Sequence, residues 1–381
     1  MDPETLGENA RLALDTIHQK PVKEIPSAFL LVMEHSMIER LAGAQPGDYV
    51  KEPEKTYLGM LRNVGTCLCD QYIPRNPLSM GQHGYENKRK EATTGAEEIL
   101  VDGILIDSPE AVVEHTEKFI FPALVKAVEE FDEDDKVARI LEKERSTQEE
   151  LGPNMLKSGY AFVSFPCLRY GRYGYLNYFM AYALYPEAME KDFSLQADLA
   201  VLQNRAAARA YREGNLPPLY RLDHDMADSK HTLVDIKSLD RIWFPHFERS
   251  IAPVRDAGVK LIWHCDGNLM DMVPRLLECG LKGFQGFQYE DGMDYERICA
   301  MKSRDGEDLI IWGGVSVTRT LPMGTPDDVK NEMKWLVEKG PKTGLFLAGS
   351  SSIAPGVSWE NLETMVEGLD YYRTHGRDGI E

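Results

Sequence analysis

Apolar residues in the last third of the chain come in short runs, each followed by a turn and then by a stretch of helical periodicity. Val259 to Trp263 reads as a strand and Leu269 to Glu278 as a helix, and Gly283 to Gln288 with Tyr295 to Lys302 repeats the pair. Leu309 to Trp312 is the next strand. Thr325-Pro326-Asp327-Asp328 then supplies an N-cap, a proline at the first helical position and acids near the positive helix end, opening a helix through Val337. Gly344 to Leu347 closes as a strand. Strands alternating with helices over short connections imply parallel β/α units. Four such strands in succession predict an α/β fold, a closed (β/α)8 TIM barrel rather than an open sheet.

Upstream the pattern is coarser. Ser108-Pro109-Glu110 starts a helix expected to run to Glu130, and Asp132 to Glu150 is charged enough to predict a solvated helix or connector. Tyr160 to Tyr185 is rich in tyrosine. Tyr170, Tyr173 and Tyr175 offer flat apolar bodies with polar tips, suited to a pocket for a planar or partly polar ligand, although amphipathic helix packing explains them equally well. No linker rich in Pro, Gly or Ser splits the chain. Residues 1–381 are therefore expected to form one barrel domain, with residues 1–150 giving an N-terminal elaboration and the first barrel units.

Composition narrows the setting. With 381 residues, 43% hydrophobic and 28% charged, the chain can bury a large core without disulfides. Its formal net charge of −19 opposes nucleic acid and anionic membrane surfaces as partners. The six cysteines show no secreted framework, so a reducing cytoplasm is the expected compartment, and Cys67-x-Cys69 is expected to pack in the core. The acidic N-terminal stretch does not resemble a signal peptide, and no apolar run reaches the roughly 18 residues of a membrane span.

Three clusters carry candidate chemistry. His264-Cys265-Asp266-Gly267 ends an apolar strand, where a barrel aims its reactive side chains. His264 and Asp266, one residue apart, can converge on a metal, whereas Cys265 should point away. Asp223-His224-Asp225-Met226-Ala227-Asp228-Ser229-Lys230-His231 follows the apolar segment Leu219 to Leu222 and would share the same rim, making Asp223 and Asp225 catalytic candidates and His231 a pocket candidate. Glu290, at the next strand end, is the candidate third metal ligand.

These residues resemble a known family. His264-x-Asp266-Gly267-Asn268, Gly292-Met293-Asp294, Gly313-Gly314 with Arg319 and Leu321, and Ile353 through Asn361 follow one another as in the uroporphyrinogen decarboxylase superfamily, which includes corrinoid-dependent methyltransferases. The resemblance implies a (β/α)8 barrel with its site at the C-terminal rim. The arginine segment by which decarboxylases of the family bind substrate carboxylates has no match between Pro21 and Pro77. The coenzyme M branch uses His-x-Cys and a late Cys on zinc; here those positions are His264, Asp266 and Ser351, and serine is a poor zinc ligand. The His-x-Asp-Gly-Asn form is similar to the O-demethylating branch. That branch implies transfer of a methyl group from a small methylated compound, such as a methoxylated aromatic, to the cobalt of a corrinoid carried by a partner protein. It also implies zinc at His264 and Asp266 and is compatible with a homodimer. Decarboxylation on the same barrel, or a non-catalytic binding protein, are the alternatives.

Overall fold

A computed structural model describes residues 5–75 and 98–377. Nine strands are present among them: β1 (Leu68–Cys69), β2 (Leu100–Val101), β3 (Ile104–Leu105), β4 (Leu156–Lys157), β5 (Leu219–Asp223), β6 (Lys260–His264), β7 (Gly283–Gln285), β8 (Ile310–Val315) and β9 (Leu345–Gly349). β5 to β9 pair in sequence order, and every pairing is parallel. β1 pairs in parallel with β4, and parallel bridges complete the circuit: Gly159 to Tyr220, Ala28 to Leu68 and Ser27 to Leu347. Eight parallel segments, at 27–28, β1, β4 and β5 through β9, thus follow one another around a ring with no free edge. This is the expected (β/α)8 barrel. β2 and β3 form a separate antiparallel hairpin.

Local chemistry explains the elements. Thr325 caps the helix Pro326–Lys339, its hydroxyl accepting from the Asp328 N–H while the Asp328 carboxylate accepts from the Thr325 N–H. Ser108 caps the helix Pro109–His115, which continues through a π-helical turn (Thr116–Ile120) into Phe121–Glu129. Pro122 explains the wide turn, since it lacks a backbone donor and its ring crowds the carbonyl one turn back.

The strands β5 to β9 are buried almost throughout, and helices such as Pro186–Gly214 and Phe244–Asp256 pack on one another outside. Cys67 and Cys69 are fully buried. The helix Glu133–Leu151 corrects the expectation of a merely solvated segment. Val137, Ile140 and Leu151 are buried on its inner face, and Glu144 forms a buried ion pair at 2.9 Å with Lys157 of β4. No helix of the described residues is long and apolar enough to cross a membrane.

Candidate metal centre at the barrel mouth

β5 and β6 run in parallel with Asp223 opposite His264, so the two loops that leave their C-terminal ends start side by side. The loops bring together Asp225, His264 and Asp266, whose ligand atoms all lie within 4.8 Å of one another. His264 is 8% exposed and its Nε2 lies 4.0 Å from an Asp266 carboxylate oxygen. Its Nδ1 faces the Gln285 carbonyl at 3.3 Å, an arrangement in which Nδ1 carries the proton and donates. The Nε2 lone pair is then left for the centre, as in metal-ligating histidines backed by a carbonyl.

The backbone fixes the two carboxylates. The Asp266 N–H donates to Asp225 at 3.2 Å, and the Ser351 hydroxyl donates to the other Asp266 oxygen at 3.2 Å. Gly267 lets the loop make this turn. It has φ +85°, and a Cβ there would overlap the Asp228 carbonyl, which accepts from the Asn268 N–H at 2.7 Å. Asp225 keeps an exposed face, yet partial desolvation of its carboxyl, aided by the neighbouring Asp266 carboxylate, raises it above its usual range, against the opposing pull of the Asp266 N–H and of His264. Two carboxylates beside an imidazole nitrogen form a nitrogen and oxygen donor set of the kind that holds a divalent cation. The residues present fit a metal.

A second polar group lies against the first. Arg221, buried within β5, donates from Nε to Asp70 at 2.7 Å, from Nη1 to Asp223 at 3.0 Å and from Nη2 to Gln71 at 3.1 Å. Burial opposes its charge, and Asp70 and Asp223 outweigh that opposition, so the guanidinium is held more firmly protonated than usual. Asp223 therefore serves as one arm of this ion-pair cluster, outside the three-residue group. Sequence reasoning missed Asp70 and Arg221. The available signal for Asp70 was its place directly after the short apolar strand β1.

The remaining candidates fall in several places. The Tyr170 hydroxyl donates to the Asp225 carbonyl at 2.8 Å, and its ring stacks on His224 with centroids 5.8 Å apart and lies 4.7 Å from Tyr175. Tyr170 and Tyr175 thus lie beside the loop that carries His224 and Asp225. Tyr173 does not join them. Gly174, with φ +78°, separates the helices Tyr170–Tyr173 and Tyr175–Leu184, and the buried Tyr173 hydroxyl meets His115 and Thr116. His231 sits on an exposed turn closed by its N–H to Asp228. Glu290 is not brought to the metal group: one oxygen accepts from the Ser316 and Thr318 hydroxyls beyond β8. Cys265 also stays out, its buried sulfur accepting from the Met226 N–H at 3.3 Å. Burial raises its thiol to about 12.

Residues 225–372 match the family model described as uroporphyrinogen decarboxylase (URO-D). The matched segment begins at Asp225 and contains the whole three-residue group. Among solved structures, the chain is similar to a methyltransferase from Methanosarcina mazei, with TM-score 0.56 and 15% identity over 96% of this chain and 98% of that one. At that identity the likeness speaks for the fold. No curated protein sequence matches the chain.

Proposed function

We propose, from the match of residues 225–372 to the uroporphyrinogen decarboxylase family model, that this chain is a methyltransferase of that superfamily. It takes a methyl group from a small methylated compound, of which a methoxylated aromatic is the best fit, and delivers it to the corrinoid cobalt of a separate protein. The observation that carries this reading is the convergence of Asp225, His264 and Asp266 at the barrel mouth, beside a loop packed against Tyr170.

Breaking a methyl–oxygen bond leaves negative charge on the departing oxygen, and the site must stabilise it. Asp225, His264 and Asp266 would hold a divalent ion, with zinc the first candidate, and the ion would supply a Lewis acid for that oxygen. The chain's own residues do the positioning. The Gln285 carbonyl keeps the His264 Nε2 lone pair turned to the centre, and Ser351 orients Asp266. Tyr170, pinned to the Asp225 carbonyl and packed among His224, Tyr175 and Phe179, would give an aromatic donor an aromatic rim to lie against. The support from fold is the likeness to a methyltransferase along nearly the whole chain.

The test is metal analysis of the purified protein together with methyl transfer to reduced cobalamin across methoxylated aromatics. About one equivalent of metal, lost in His264→Ala, with methyl transfer abolished in Asp266→Ala of unchanged circular dichroism, is the expected result. Carbon dioxide release without any corrinoid would instead establish the decarboxylase reading. Full methyl transfer by Asp266→Ala would remove this group from the reaction.

A further inference from the structure

A cleft of about 430 Å³ opens where the helix Glu133–Leu151 meets the C-terminal ends of β1 and β4, and none of its lining residues belongs to the metal group. Four cations line it, Lys136, Arg139, Lys143 and Lys157, against two carboxylates, Asp70 and Glu144. That balance is unusual on a chain of net charge −19.

The local pairings show which charges are spoken for. Lys157 is paired with Glu144, Arg139 with Asp135, and Asp70 with Arg221. Lys136 and Lys143 remain, and among the described residues neither has an ion-pair partner. Lys143 is exposed, whereas Lys136 is partly buried and pushed below the usual lysine range by burial and by Arg139. A partly desolvated ammonium beside a second cation is costly unless an anion joins it. The rest of the wall is apolar and aromatic, with Tyr72, Phe162 and Ile140 at its sides. The Tyr72 hydroxyl is held by Glu150 at 2.6 Å, and Ala161, beside Phe162, has φ +62°. The non-glycine left-handed residue in the wall marks a backbone shaped at some cost.

We propose that this cleft binds a small aromatic carboxylate, its ring between the side chains of Tyr72 and Phe162 and its carboxylate on Lys136 and Lys143. An aromatic carboxylate fits better than a free phosphate because the apolar and aromatic walls match a hydrophobic body beside the cationic side, and the volume suits a single small ligand. The inference is independent of methyl transfer, since it uses neither the metal group nor a corrinoid.

The experiment is calorimetric titration of the full chain, stripped of divalent metal by chelator and at low ionic strength, with benzoate and separately with inorganic phosphate. Benzoate should saturate one site. Lys136→Gln and Lys143→Gln should each weaken it by about tenfold, the loss expected for one charge-assisted contact, and His264→Ala should leave it unchanged. The exposed Lys143→Gln decides the matter if Lys136→Gln does not fold. No saturable benzoate binding, benzoate binding indifferent to both lysines, or phosphate binding in place of benzoate would each overturn the assignment.

Discussion

His224 offers the clearest quantitative consequence of the way β5 ends. Its Nε2 accepts the Leu168 N–H at 3.0 Å, the Tyr170 ring stacks on it with an interplanar angle of 15°, and Phe165 meets it edge-on. Protonating Nε2 would turn two donors against each other in a confined space. Burial accordingly pushes the imidazole down from 6.5 to about 4, although Asp225 and Asp223 pull the other way.

The sign follows from linkage. Between those two values the unfolded chain holds a proton on this imidazole and the native protein does not, so the contribution is fully present above pH 6.5 and is lost as pH falls toward 4. The full difference corresponds to about 3 kcal/mol, of which about 2 kcal/mol is gone by about pH 5. Urea unfolding followed by tryptophan fluorescence, run near neutrality and at about pH 5, measures it when wild type is compared with His224→Gln. Glutamine keeps an acceptor for the Leu168 N–H but does not titrate, so the variant should lose about 2 kcal/mol less on acidification than wild type. The raised carboxyl of Asp225 contributes with opposite sign in both proteins and drops out of the comparison. Equal acid sensitivity of the two would refute the claim that the Leu168 contact holds His224 neutral.

Glu144→Leu leaves the Lys157 ammonium buried beside β4 and should cost about 3–5 kcal/mol, whereas Glu144→Leu with Lys157→Met should recover most of it; denaturant midpoints of the single and double variants give the comparison. Gly267→Ala imposes a side chain at φ +85° and against the Asp228 carbonyl, so it should destabilise the fold by at least about 1 kcal/mol and reduce metal retention, read by thermal melting and by metal content after dialysis.

The second half of the barrel was readable because its strands are apolar runs of three to six residues, buried almost throughout, each followed after a loop by a helix, of which those starting at Ile236, Tyr295, Pro326 and Trp359 carry side-chain caps. The run read as Val259 to Trp263 shifts by one residue to Lys260–His264, whereas the run read as Gly283 to Gln288 ends as a strand at Gln285. β8 extends farther than its apolar run, to Val315, because Gly313 and Gly314 pair with Leu347 and Ala348 of β9, leaving no side chain to signal a strand. The first half was opaque for a different reason. β1 and β4 are two residues each, and Leu68 finds its partner at Leu156, far along the chain, so no local periodicity marks either.

The same distinction governs the site. Asp225, His264 and Asp266 were legible because each lies at or just beyond the end of a readable strand, and the register of β5 against β6 makes their loops neighbours. Glu290 satisfies that sequence criterion too, yet the turn Tyr289–Asp291 delivers it to Ser316 and Thr318, where hydroxyl donors replace a metal. Position after a strand thus nominates a residue, and the loop geometry selects among the nominees. Ser351 illustrates the converse: as a ligand it is a poor substitute for cysteine, but as a donor to Asp266 it fixes the carboxylate that stands at the other departing position. The two departures from the thiol-activating pattern therefore make chemical sense together. On the proposed reading, Asp266 would be an oxygen ligand and Ser351 its hydrogen-bond support, a pairing that would suit a departing oxygen better than a thiol.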